Sequence, residues 1–528
     1  MSDKLQKFVG KFTGGKLTRR SVLGRASAIA ILAAVAGFAL PDAGIAAEPK
    51  KGGDFVMGLK GGESTNSLDP ALSTSHVTAK ALRTYGETLT EVTPEGEVIA
   101  RLAESFAPRE GGKTWDFTIR KGVKFHNGQE MTAEDVLKTM QRHSDEDTKS
   151  GALGIMRGIE SMEVDGDTFT VHLTTPNADL PFLLSDYHLV IQPNGGLDAP
   201  GAGIGTGPYK VTADEPGIRY KFEKFADYWD ATRGHYDSVE IIVINDDTAR
   251  ANALQSGIVH AINLVSPKTA KLLGRSPEID IETTSGKGHY IFVMHVDTPP
   301  FDNKDLRLAL KHAVNREELV DKVLAGYGKV GNDSPINEAY PLFDSTIAQR
   351  TFDLEKAKEL YEKSGHDGSP IVLHVSDAAF AGALDAAQLF QQSANAAGIP
   401  LQLKPEPADG YWSEVWNKKP FAASYWGGRP VQDQMWSVGY LSTADWNDTR
   451  FKNAEFDAML LEARGELDPE KRQEIYGKMA RLVHEEGGLI NPMFNQFIDG
   501  MATNVDGWET NPEGDLMNGF IAVKTWFD

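Results

Sequence analysis

The stretch that sets the fold class covers residues 371–426 and reads IVLHVSDAAFAGALDAAQLFQQSANAAGIPLQLKPEPADGYWSEVWNKKPFAASYW. Ile371–Val375 is a short, largely β-branched run of the kind that forms a buried strand. Residues 378–397 carry the longest helical pattern in the chain, closed by Gly398. A second strand is expected over 399–405, a second helix over 410–417 and a third strand over Phe421–Trp426. Strand and helix alternating in pieces of this length predict an α/β lobe.

Working towards the N-terminus, Asp353 starts a helix that ends near Gly365. Asn315-Arg316-Glu317-Glu318 is a start of the capping-box kind, with Leu319, Val320, Val323 and Leu324 as the apolar face. The first half of the chain is richer in strands and turns. Residues 55–59, 115–120, 168–173 and 239–244 read as strands, and Thr132 caps a helix whose first turn holds Glu134 and Asp135. A mixed lobe followed by an α/β lobe predicts a two-lobed α/β protein with a cleft between them.

Composition bounds the function. The chain has 528 residues, 41% of them hydrophobic and 24% charged, which is ordinary globular composition. The first 46 residues are net basic by 5, so the formal charge of −21 leaves −26 on the remainder. A surface that acidic repels phosphate backbones and anionic headgroups, so neither nucleic acid nor a lipid surface is an expected partner. There is no cysteine, which excludes disulfides, thiolate metal sites and a cysteine nucleophile.

The leader has its own pattern. Arg19-Arg20 precede an apolar stretch over residues 26–40, Pro41 breaks it, and small residues follow to Ala46-Ala47. This is an export signal of the twin-arginine type, expected over residues 1–47 with cleavage near Ala46 or Ala47. The apolar stretch is shorter than the ~20 residues of a spanning helix, and no cysteine follows to carry a lipid. A free periplasmic protein is therefore expected.

Several short runs then point to one family. They are Ser67-Leu68-Asp69-Pro70, Leu102-Ala103-Glu104-Ser105-Phe106, Ile119–Gly128 with Met131–Val136, Gly205-Thr206-Gly207-Pro208-Tyr209, Asp227-Tyr228-Trp229, Ala253–Gly257 and Pro300-Phe301-Asp302-Asn303. In this order and over nearly the whole mature chain they resemble the extracytoplasmic solute-binding protein family 5. Its members are peptide, nickel and opine-type binding components of ABC transporters. The resemblance implies a periplasmic binding protein fold of type II, cluster C-like, with an extra subdomain in lobe I and a strand hinge. It places lobe I at 48–285, lobe II at 286–493 and a C-terminal return to lobe I at 494–528. It also implies a small-molecule or peptide ligand, ABC permease subunits as partners, no cofactor and a monomer. His126, in its Asn-Gly turn, reads chiefly as a group that satisfies local backbone.

The ligand chemistry is expected in residues 424–436, just after the third strand of the α/β lobe, because ligands of such lobes sit beyond the carboxyl ends of strands. Gly427 and Gly428 allow close approach, Tyr425, Trp426 and Trp436 offer flat faces, and Arg429 and Asp433 carry opposite charge. Peptide-binding relatives often place an acid just after the glycines to receive the ligand amine, and Arg429 stands there instead. Arg429 is therefore expected to clamp a carboxylate while Asp433 takes an amine or hydroxyl. The plain alternative is an Arg429–Asp433 surface ion pair. Secondary candidates are His289, Tyr290 and Asn495 near the lobe crossover, with Phe494 beside them; Trp412 and Trp416 are expected to pack on the sheet.

Catalysis is not expected. Gly-x-Ser-x-Gly, Ser-x-x-Lys and P-loop patterns are missing, and His484-Glu485-Glu486 has Gly488 where a zinc helix needs its second histidine. Thirteen histidines without a ligand-spaced pair argue against a directly bound metal, although a metal held in an anionic chelate would suit Arg429. An exported hydrolase is the remaining alternative.

Overall fold

The computed structural model describes residues 49–73, 75–407, 411–444 and 446–528; the expected leader lies outside them. Among the described residues, eleven strands make one continuous mixed sheet. Its order is Leu401–Pro405, Ile371–Val375, Phe421–Trp426, Ile279–Met294, Leu489–Ala502, Ala261–Ile262, Asp54–Leu59, Ser238–Val243, Arg219–Lys224 and Tyr209–Glu215. Gly328–Val330 pairs with Leu489–Ala502 off this path.

At one end Ile371–Val375 runs parallel to both Leu401–Pro405 and Phe421–Trp426. Parallel neighbours need a crossover, and the helix Ala383–Ala396 supplies one of them. Phe292, Leu373, Phe390 and Phe421 form the core on this helix's side. Ile291, Trp436, Phe456 and Met479 form another core at the same end. At the other end of the sheet Phe55, Tyr85, Tyr220 and Ile241 pack with Met501 and Ile521, so the chain's last segment closes the core of its first lobe. A separate four-stranded antiparallel sheet, Ala103–Arg109, Thr114–Ile119, Thr168–Leu173 and Ile159–Asp165, packs the helix Ala133–Ser144 over Phe117, Val136, Met140 and Phe169. The architecture is thus the two-lobed α/β fold, with a smaller sheet added to the first lobe.

Two long antiparallel strands, Ile279–Met294 and Leu489–Ala502, pass from one lobe to the other. Ile279 and Ile498 pack in a first-lobe core, whereas Ile291 and Leu489 pack in a second-lobe core. Their register breaks between Ser285 and His289, at Gly286-Lys287-Gly288. A side chain at either glycine would make its neighbour shift. A Cβ on Gly286 would lie 2.6 Å from the Phe497 ring, and one on Gly288 2.9 Å from Asn495 Oδ1.

Local expectations fare unevenly. Thr132 caps its helix with a reciprocal box: Asp135 N–H donates to Thr132 Oγ1 at 3.3 Å, and Thr132 N–H donates to Asp135 Oδ2 at 2.9 Å. The helix expected over 378–397 begins only at Ala383, because Gly382 takes a left-handed φ of 81° and Asp377 Oδ1 accepts from Leu384 N–H instead. The helix expected over 410–417 shrinks to Tyr411–Glu414, with Asn417 also left-handed. The Trp412 side chain lies outside the described residues.

Candidate functional site

The strand Phe421–Trp426 delivers the chain to a cavity of about 430 Å³ walled by both lobes. Tyr290, Tyr425, Trp426, Gly428 and Arg429 face it from the second lobe, and Arg83, Asp186 and Glu513 from the first. Lys287 and Asn495, at the crossover of the long strands, also line it. A Cβ on Gly428 would lie 2.5 Å from Lys287 Cβ, so a glycine is needed where the loop crosses this strand.

Arg429 is held without an acid. Its backbone N–H donates to Tyr340 Oη at 3.1 Å, and its Nη1 donates to the carbonyls of Gly427 and Gly428, each at 3.1 Å. Its guanidinium carbon sits 5.6 Å from the centre of the Trp426 ring. Among the described residues no carboxylate comes within 4.0 Å of it, and burial pulls its pKa below the ordinary arginine value without neutralising it.

Arg83, in the last turn of the helix His76–Tyr85, is similar. It donates to the Ser185 carbonyl at 2.8 Å and stands 4.7 Å from the centre of Phe520, and no described carboxylate comes within ion-pair distance. The other charges on the wall are spoken for. Lys287 Nζ bonds Glu513 and donates to the Pro430 carbonyl at 2.9 Å. Asp186 pairs with His188, 2.6 Å away; burial alone would raise its pKa, but His188 outweighs it and holds it low. The cavity therefore presents two arginines without an ion-pair partner among the described residues; Glu91 and Asp186 still act on Arg83 at longer range, whereas no acid acts on Arg429.

Six of the nine site residues expected from sequence line this cavity: Arg429, Tyr425, Trp426, Gly428, Tyr290 and Asn495. Three do not. Asp433, in the helix Gln432–Gly439, is buried and accepts from Arg464 Nε at 3.0 Å. Burial outweighs Arg464 and raises its pKa. The alternative Arg429–Asp433 pair is therefore not formed. Trp436 is fully buried, wedged edge-on against Tyr440 and Phe456, because its helix turns that face to the core. His289 is also fully buried, 5.4 Å from the Phe494 ring, with Nδ1 3.2 Å from the Lys287 carbonyl; burial lowers its pKa to about 4. The sequence signal for all three was residue type. Which way a side chain turns from its helix or strand is set by packing.

The first-lobe wall was missed altogether. Arg83 and Asp186 carry no local pattern that marks them, and they reach the cleft only because chain segments about 100 residues apart pack together.

The family-like turns converge elsewhere. Thr206 Oγ1, Tyr228 Oη, Trp229 Nε1 and Arg101 Nη2 all donate to the buried Glu87 carboxylate, at 3.2, 2.9, 2.8 and 2.6 Å. Glu91 beside it takes Arg233 at 2.7 Å and Lys524 at 2.9 Å. His126 lies 2.9 Å from the Gly207 carbonyl and accepts from Gly205 N–H, so it satisfies backbone, though of a segment 79 to 81 residues further on rather than of its own turn. These motifs build a closed charge network in the first lobe rather than a ligand surface.

The model of the bacterial extracellular solute-binding proteins, family 5 Middle, matches residues 97–448. The chain belongs to this family. It is similar to the glutathione-binding protein GsiB of Salmonella choleraesuis, 24% identical over 481 residues that cover 87% of this chain and 92% of that one. Among solved structures, HbpA2 from Haemophilus parasuis superposes with a TM-score of 0.82 at 20% identity, over 90% of this chain and 100% of its own. AgaA from A. tumefaciens R10, in complex with agropinic acid, superposes with a TM-score of 0.71 at 24% identity, over 90% and 99%. Members of family 5 are extracytoplasmic solute-binding proteins of ABC transporters; similar proteins bind peptides or glutathione, and nickel-binding neighbours exist as well. Among the described residues, no helix is long and apolar enough to cross a membrane.

Proposed function

We propose that the chain, exported on its twin-arginine leader and cleaved near Ala47, works in the periplasm as the monomeric substrate-binding component of an ABC importer. Its ligand is a short peptide or an opine-like amino-acid conjugate, and Arg429 holds the ligand's carboxylate. The observation that carries this reading is a guanidinium on the wall between the lobes with no described acid to neutralise it. A carboxylate can take two parallel N–H bonds from such a group, and the partial desolvation strengthens them. The similar proteins named for glutathione and agropinic acid bind ligands of this kind, amino-acid-derived and anionic. Arg83 on the opposite wall adds a second positive charge that only the closed arrangement brings near the ligand. A ligand touching both lobes would favour the closed form by its extra affinity for it, and that form would engage the permease.

A thermal-shift screen of the purified protein against peptides, opines and metal chelates tests this. A ligand at ~100 times its Kd stabilises by ~2.7 kcal/mol. Shifts confined to ligands with a free carboxylate, and lost in Arg429→Ala, are expected. Equal shifts with carboxylate-blocked ligands would reject the clamp.

A further inference from the structure

A second cavity, of about 510 Å³, opens beside the first and shares Tyr425, Trp426, Gly427 and Arg429 with it. Among the described residues its other walls are Trp416 and Trp446. Trp446 is 52% exposed and Tyr425 48%; among the described residues only one other aromatic ring, Phe352, stands comparably open. Folding gains nothing from leaving half of the Trp446 ring in water, so its place on the wall of this cavity asks for an occupant.

The box is built rather than incidental. The carboxylate of Asp448, 1% exposed, accepts from Trp416 Nε1 at 3.0 Å and from Trp426 Nε1 at 3.2 Å, which sets the planes of both indoles. Trp446 stands edge-on to Trp416, with centroids 5.9 Å apart and planes at 84°, and tilted 58° from Trp426 at 6.0 Å. The result is an angled set of three indoles with a phenol at the rim and Arg429 at one corner.

The chemistry of the occupant follows from what this box offers. A cationic group is disfavoured, because Arg429 already fills the cation position over Trp426. A sugar needs donors around its hydroxyls, and two of the three indole N–H groups are committed to Asp448. A flat apolar ring meets no such obstacle and gains edge-to-face contacts on several sides. Arg429 lines both cavities, so a ring in one and a carboxylate on its guanidinium would lie close together on the ligand.

We infer that the Trp416–Trp426–Trp446 box is a specificity subsite for an aromatic side chain on the ligand's carboxylate-bearing residue. The preferred solutes are thus peptides or conjugates ending in phenylalanine, tyrosine or tryptophan. The inference rests on the carboxylate-clamp reading above and narrows it.

Calorimetric titration of the full protein with Gly-Gly-Phe, Phe-Gly-Gly and Gly-Gly-Ala separates the two. Gly-Gly-Phe is expected to bind about tenfold or more tighter than either of the others, the worth of burying one ring. Trp446→Ala, at an exposed position, should bring that ratio below about threefold. Trp446→Phe, which keeps a ring there and guards against a folding defect, should preserve most of it. If all three peptides bind alike and Arg429→Ala weakens all of them, the clamp stands and the aromatic subsite is overturned. A ratio unchanged in Trp446→Ala overturns it as well. If none of the peptides binds the unaltered protein, the peptide reading and the subsite fall together.

Discussion

Arg464 Nε lies 3.0 Å from Asp433 Oδ1, so the acid four residues beyond Arg429 is already paired and faces away from the cleft. Arg429 is left at the cleft without an ion-pair partner, and the two residues should respond differently to removal. Arg429→Ala is expected to weaken a carboxylate ligand ten- to a hundredfold, since a charge-assisted bond contributes about 1.5–3 kcal/mol. Asp433→Asn should change the Kd less than about threefold, while the unpaired Arg464 costs stability. Calorimetry on both variants, with urea denaturation for the second, checks this. Equal losses of affinity would return Asp433 to the site.

The lobes also meet away from the ligand. Arg472, in the helix Pro469–Glu486, reaches Asp179 of the first lobe at 2.8 Å, both nearly buried, and Ala178 N–H donates to the Arg464 carbonyl at 2.9 Å. Breaking one side of a buried pair costs about 3–5 kcal/mol because the other charge stays buried. Arg472→Met is therefore expected to speed ligand release and expand the molecule in small-angle scattering. An unchanged off-rate would show that the contact plays no part in holding the lobes together.

Acid should destabilise the first lobe through Glu91. Burial alone would raise its pKa, but Arg233, Lys524 and Arg101 outweigh it and hold it at about 2, against an ordinary 4.5. The folded state thus binds this proton more weakly than the unfolded one. Its contribution is in full above pH 4.5 and is lost as the pH falls towards 2. Urea midpoints measured from pH 7 to 3 should drop below 4.5, and Glu91→Gln should be less stable at pH 7 with a flatter acid limb.

Asp448 runs the other way. Burial raises its pKa to about 6, with the Trp416 and Trp426 indoles opposing. The folded state holds this proton more tightly, so its contribution to stability grows as the pH falls through 6 towards the ordinary 3.8. Tryptophan emission should show a step centred near pH 6 as the acceptor of two indoles loses its charge. Asp448→Asn should abolish that step; a step that persists would place its origin at another group.

The sequence by itself determined which elements form and what each half of the chain is made of. Ile371–Val375, Thr168–Leu173 and Phe421–Trp426 are strands with the boundaries read from their patterns, and Thr132 and Asn315 cap the helices assigned to them, because these signals act within a few residues. It also placed Arg429 in a glycine loop beyond a strand end, where such lobes put ligands. The start of the helix at Ala383 rather than 378 turned on a left-handed Gly382 that no composition rule singles out. Only the tertiary structure decided that Asp433 belongs to Arg464, that Trp436 and His289 are core, and that Arg83 and Trp446 line the two adjoining cavities. The physical reason is one of range. Capping and alternation are settled along the chain, whereas the partner of a charge or the exposure of a ring depends on which distant segments pack beside it.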